Sequence, residues 1–200
     1  MKKPVMHLLA GSNGAGKSTF AKEAFSELLF IDGDAIAKGL QQKYGTDWEK
    51  YNTRNEANIL AVKLYMKAIE QKIDFAIETN FSFELLERPK RFGYQLNVYF
   101  LSTYNYTINI HRVEQRKQAG GHWVPEDLIK QRQQKCITDL CKALPNIDNL
   151  FLIASNNNPL QKPTLLAEIY PQKSSIQPYP WIHSYEWTTP VLEAVNKLFL

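Results

Sequence analysis

The 200-residue sequence has only two cysteines, Cys136 and Cys141. They fall in one helical stretch, about 140° apart around the helix, which is poor geometry for a bridge. They read as reduced thiols of a cytoplasmic protein without a disulfide framework. No apolar run approaches the length of a membrane span. The basic start Met1-Lys2-Lys3 leads into an apolar stretch too short for a signal peptide, and it reads as a first strand. Charge of one sign is also scarce in excess: the net charge is +4, and the basic residues are scattered. That is too weak to argue for nucleic acid by itself and argues against a basic groove, and a site for phosphates needs no more positive charge than this. Glycine is sparse, but three of the nine glycines stand at positions 11, 14 and 16.

Those three belong to Gly11-Ser12-Asn13-Gly14-Ala15-Gly16-Lys17-Ser18, followed by Thr19. This is a complete phosphate-cradling loop, set between an apolar strand and an amphipathic helix. Glycines let successive N–H groups converge on phosphate oxygens. The helix that follows adds its dipole. Lys17 supplies a positive charge for the β and γ phosphates, and the Ser18 hydroxyl is a ligand for Mg²⁺. ATP or GTP is therefore the expected ligand.

Other signatures are missing. There is no Leu-Ser-Gly-Gly-Gln run, no Asn-Lys-x-Asp guanine reader, and no apolar strand ending in the Asp or Asp-Glu of a hydrolytic ATPase. A small chain with arginines downstream of the loop fits a kinase acting on a small molecule. Arg112 and Arg116 lie one turn apart on one helix face. The apolar stripe of that helix is formed by Tyr106, Ile110 and Val113. Gly120-Gly121 then offers a hinge, and Arg132 lies on the next helix. Such cations suit a migrating phosphoryl group. Acidic residues follow two strand ends: Asp32 and Asp34 after the second strand, Glu78 at the end of the third. Asp32 reads best as a turn or cap. Asp34 and Glu78 are placed to accept a proton, to orient a hydroxyl, or to hold magnesium through water.

The expected strands span residues 4–10, 29–31, 74–78, 95–101 and 150–154. The expected helices span 17–28, 35–42, 54–71, 83–92 with a break or bend near Pro89, 105–119, 125–143 and 189–200. Residues 44–52 read as a loop. This alternation indicates a parallel sheet covered on both faces. The expected division is a P-loop kinase domain over residues 1–155 and a proline- and aromatic-rich extension over 156–200 that packs on it. In the extension Pro159, Pro163, Pro171, Pro178 and Pro180 interrupt the chain, and its aromatic residues cover one side of the sheet.

Four segments together resemble the zeta-toxin family of P-loop kinases. They are Ala10 to Thr19, Ile31-Asp32-Gly33-Asp34, Ile77-Glu78-Thr79-Asn80-Phe81-Ser82, and Arg112 to Arg116 continued by Gly120-Gly121-His122-Trp123-Val124-Pro125. The resemblance covers roughly residues 1–155. It implies an α/β fold with five parallel strands in the order 2-3-1-4-5 and a helical lid. It implies transfer of the γ-phosphate of ATP or GTP to a hydroxyl, which in zeta toxins is the 3′-hydroxyl of UDP-N-acetylglucosamine, and it raises an antitoxin protein as a partner. It matches the family's base to Asp34, its substrate-strand acid to Glu78 with Thr79, Asn80 and Ser82 beside it, and its lid arginine to Arg112. A second lid arginine of zeta toxins falls at Gly121-His122 here, and Arg116 or Arg132 takes its place.

Overall fold

The structure is a computed structural model that describes residues 2–44, 53–80, 84–118, 124–155 and 162–200. Ser82, the Gly120-Gly121 hinge and most of the expected 44–52 loop lie outside the described residues. The strands are β1 (Val5–Ala10), β2 (Leu29–Asp32), β3 (Phe75–Thr79), β4 (Gln95–Thr103), β5 (Asn149–Ser155), β6 (Thr164–Tyr170) and β7 (Ser175–Pro178). The helices are α1 (Lys17–Ala24), α2 (Gly33–Tyr44), α3 (Thr53–Gln71), α4 (Glu84–Arg91), α5 (Tyr106–Gln118), α6 (Glu126–Ala143) and α7 (Thr189–Phe199).

The seven strands among the described residues form one sheet in the order β2-β3-β1-β4-β5-β6-β7. The first five positions are parallel and follow the expected order. The sheet is nevertheless wider than the five strands expected, because β6 pairs antiparallel with β5 and β7 antiparallel with β6. The prolines that seemed to interrupt the tail stand at the boundaries of these strands. Pro163 precedes β6, Pro171 opens the turn between β6 and β7, and Pro178 ends β7 on the outer edge, where a missing N–H is tolerated.

Alternation along the parallel strands sorts side chains onto two faces. Met6, Leu8 and Ala10 of β1 join Val98 and Phe100 of β4 in the larger cluster, with residues of α3, α4, α6 and α7. Leu9 and Leu101 point the other way and meet Ala21 and Phe25 from α1 and the loop after it. The tail contributes to the first face: Trp187 is buried with its ring 5.6 Å from that of Phe100, and Val191 and Val195 of α7 are fully buried. Its aromatic residues are not all cover, since Trp181 is 64% exposed.

Helix α4 runs through Pro89 without a break. A proline inside a helix removes the N–H that would bond the carbonyl four residues back. Here that carbonyl belongs to Leu85, and the buried Tyr65 hydroxyl of α3 donates to it at 2.8 Å. Burial pushes the Tyr65 pKa up to about 12, so the donor keeps its proton. A contact 20 residues away in sequence thus repairs the defect that favours a bend. Tyr65→Phe is expected to leave the half-buried Leu85 carbonyl without this bond, lowering the unfolding free energy by about 1 kcal/mol in urea titrations.

Candidate functional site

Because β1 lies between β3 and β4, the loop leaving its carboxyl end opens onto the carboxyl ends of both neighbours. Parallel register places Ala10 beside Thr79 and Phe100, and Asp32 beside Glu78. The result is a cleft of about 700 Å³. Its walls include the loop from Asn13 to Thr19, Asp32 and Asp34, Glu78 to Asn80, and Arg112, Arg116 and Arg132.

The loop ends at Gly16, the N-cap of α1, with φ +86°. That left-handed conformation favours glycine. No side-chain cap bonds at this end, so the first N–H groups of α1 face the cleft as an anion site. Lys17 folds back over the loop. Its Nζ donates to the carbonyls of Gly11 at 2.8 Å and Ser12 at 3.1 Å. Nζ also stands 4.0 Å from Glu78 Oε1. Burial lowers the Lys17 pKa, and the Glu78 charge partly offsets this.

The Ser18 hydroxyl donates to Glu78 Oε1 at 3.2 Å. The other carboxylate oxygen, Oε2, is buried and has no hydrogen-bond partner among the described residues. Burial pushes the Glu78 pKa upward. Lys17 and the Ser18 hydroxyl pull it back, while Asp32 and Asp34 push it further up. Three carboxylates therefore share this end of the cleft, and they do different work. Asp32 Oδ1 accepts from the N–H groups of Asp34 at 2.9 Å and Ala35 at 3.2 Å, capping α2. The capping duty is thus met by Asp32, and Asp34 stands exposed on the first turn of α2 with its residue lining the cleft. Thr79 and Asn80 line the same wall, with Thr79 Oγ1 donating to the Asn80 carbonyl at 2.7 Å.

The arginines approach from α5 and α6. Arg112 Nη1 donates to the Gly14 carbonyl at 3.1 Å and to Ser155 Oγ at 2.8 Å. Arg132 Nη1 donates to Asn13 Oδ1 at 2.8 Å. Arg116 lines the cleft between them in sequence. On α5 the buried positions are Asn109 and Val113, whereas Tyr106, expected in the apolar stripe, is 42% exposed beneath Lys130 Nζ. Tyr106 sits at the helix start, ahead of the part that packs. Gly11 and Ser12 do not line the cleft: both are buried beneath the loop surface, and Ser12 is 2% exposed.

Sequence reasoning missed Ala37 of α2, Ala57 and Asn58 of α3, and Asn109. The first three line the cleft. Their signal was faint, since alanines at helical spacing read as core. Asn109 had a readable signal, a carboxamide four residues before Val113 on the packing face.

The central strand with its glycine loop and the helices around the sheet give the chain the fold of P-loop kinases. The family model for the zeta toxin matches residues 1–158, and the chain belongs to the zeta toxin family. An uncharacterized protein of Haemophilus influenzae is 30% identical over 132 residues, covering 61% of this chain and 87% of that one. Among solved structures, a chain of the PezAT chromosomal toxin–antitoxin system of Streptococcus pneumoniae superposes with a TM-score of 0.62 at 17% identity, over 99% of this chain and 86% of that one. AvrRxo1-ORF1 with AvrRxo1-ORF2 and sulphate ions gives 0.69 at 12% identity, over 94% and 64% of the two chains. The same pair solved with ATP gives 0.65 at 12% identity, over 98% and 64%. At these identities the structural likenesses show the fold.

The position of Glu78 sets a pH dependence. Its pKa in the folded chain lies above the ordinary value of 4.5. Its contribution to stability is therefore present at low pH and lost as pH rises through the folded pKa. Glu78→Gln has no such group. Relative to wild type, it should gain unfolding free energy between about pH 4 and about pH 8. Parallel urea titrations at the two pH values measure this, and an unchanged difference would mean an ordinary, solvated Glu78.

Proposed function

We propose that this chain is a kinase that transfers the γ-phosphoryl group of ATP or GTP to a hydroxyl of a small molecule. The observation that carries this reading is the meeting in one cleft of Lys17 and Ser18 of the phosphate loop, the carboxylates Asp34 and Glu78, and the arginines Arg116 and Arg132. The loop from Gly11 to Thr19 cradles the triphosphate, and Lys17 turns from its own carbonyls toward the β and γ phosphates. Arg116 and Arg132 meet the charge of the migrating group. Arg112 reaches the same site from its bonds to the loop.

In the reaction the acceptor oxygen forms a bond to the γ phosphorus, while the bond from that phosphorus to the β–γ bridging oxygen breaks. The hydroxyl proton passes to Asp34, and the nucleoside diphosphate leaves. Glu78, Thr79 and Asn80, with Ser82 following them in the sequence, orient the acceptor. UDP-N-acetylglucosamine, the acceptor of zeta toxins, is the first candidate.

The residues present suit a magnesium ion. Ser18 Oγ and the buried carboxylate of Glu78, with one oxygen unpartnered among the described residues, are hard oxygen donors of the kind Mg²⁺ takes beside phosphates. Bound there, the ion would neutralise charge on the β and γ phosphates. No helix among the described residues is long and apolar enough to cross a membrane, and both cysteines are free, which supports a cytoplasmic setting. An antitoxin protein is the proposed partner, because one structural neighbour comes from a toxin–antitoxin system.

The test is a transfer assay with labelled ATP against UDP-sugars, nucleosides and oligonucleotides. A phosphorylated small molecule is the expected product; labelling of oligonucleotides alone would overturn the acceptor class. Lys17→Ala should abolish productive ATP binding in calorimetry. Asp34→Asn should keep ATP affinity while losing about 10²–10⁴ in turnover. A nucleotide-dependent switch that docks partners through its aromatic tail has no use for Asp34, so normal partner binding with no transfer in wild type would favour that reading instead.

A further inference from the structure

We propose that Asn109 is a positioning residue that clamps α5 to the back of the phosphate loop and presets the loop for nucleotide. Asn109 is fully buried on the packing face of α5. A carboxamide there is unfavourable unless both ends are bonded, and an aliphatic side chain would fill the place better. Both ends are bonded. Nδ2 donates to Ser12 Oγ at 2.6 Å, and Oδ1 accepts from Thr103 Oγ1 at 2.7 Å. The side chain thus joins the end of β4, the base of α5 and the first turn of the loop.

Ser12 extends the link toward the site. Its carbonyl accepts from the Ala15 N–H at 3.2 Å and from Lys17 Nζ at 3.1 Å. The residue that Asn109 holds by its hydroxyl is therefore the residue that holds the loop turn and Lys17 by its carbonyl. A second contact acts beside it. At Gly14, with φ +80°, an added Cβ would stand 2.7 Å from the Asn109 carbonyl oxygen, so α5 lies directly against the loop backbone. Arg112, one turn further along α5, grips the Gly14 carbonyl. Two residues of the loop, Ser12 and Gly14, are thereby held by one helix.

A loop held in shape before the ligand arrives loses less freedom on binding, and its affinity is higher for that reason. The inference rests on the reading that the loop binds a triphosphate, and only its turnover readout rests on the transfer step as well. Calorimetry of ATP with the full-length chain, without acceptor, tests it. Asn109→Leu, similar in volume and unable to donate, should raise the ATP dissociation constant by about tenfold. Ser12→Ala should raise it by a similar factor, and the double variant should be no weaker than the weaker single one, because both remove the same bond. At saturating ATP, turnover of Asn109→Leu should return close to wild type, a split that general loss of structure does not produce. Gly14→Ala should weaken ATP binding as well, by pressing α5 off the loop. If Asn109→Leu does not fold, Ser12→Ala reads the bond from the loop side. Equal affinity of wild type and Ser12→Ala, or additive losses in the double variant, overturns the inference alone. Failure of the wild type to bind ATP overturns both it and the proposed function.

Discussion

Two opposite charges, the buried Lys17 at the start of α1 and the half-buried Glu78 near the end of β3, stand 4.0 Å apart. Neither is comfortable. Burial lowers the pKa of one and raises that of the other, and their mutual attraction offsets this only in part. A buried pair of this kind seldom adds net stability. What makes it tolerable is the surrounding structure: two loop carbonyls on Lys17, one hydroxyl on Glu78, and the parallel register that brings the strands level. Most of the fold near the cleft can be understood as the frame that holds this pair where solvent would otherwise separate it. The tension suits a site built for a third charged body. A phosphate can draw Lys17 off its carbonyls, and a cation can take the oxygen of Glu78 that has no partner among the described residues.

Much of this could be read from the sequence because it is local. The phosphate loop is a contiguous string whose residue types follow from anion chemistry. Asp34 and Glu78 follow strand ends, and a parallel sheet brings such ends together whatever the intervening chain. Arg112 and Arg116 were visible through helical spacing. What stayed hidden depends on pairings across long separations. The strands β6 and β7 carry prolines at their borders, and nothing local says that Leu152 has Ala167 opposite it. Pro89 forecasts a bend by every local rule, and only Tyr65 explains why α4 continues. Asp32 and Asp34 are two residues apart, and the cap could have fallen to either until the bonds to the Asp34 and Ala35 N–H groups were known.

The helix α5 shows how one element can hold several roles at graded distance from the chemistry. Asn109 and Arg112 touch the loop itself, Val113 and Arg116 line the cleft, and Ile110 and Val113 pack with Leu128 and Ile129 of α6. Side chains one turn apart therefore report on the same few ångströms of backbone.

The antiparallel pairing of β6 with β5 also sets a schedule on synthesis. Ser155, which takes a bond from Arg112 beside the loop, ends β5, and β5 has its outer partner only once residues 164–170 have been made. The last core side chains to arrive, Trp187, Val191 and Val195, seal the face of β4 from the far end of the chain. A nascent chain stalled before this point carries every residue of the cleft, yet its fifth strand is an open edge. Residues 164–199 thus cover the outer edge of the fifth strand and the face of β4, while every residue that lines the cleft stands earlier in the chain, at or before Arg132.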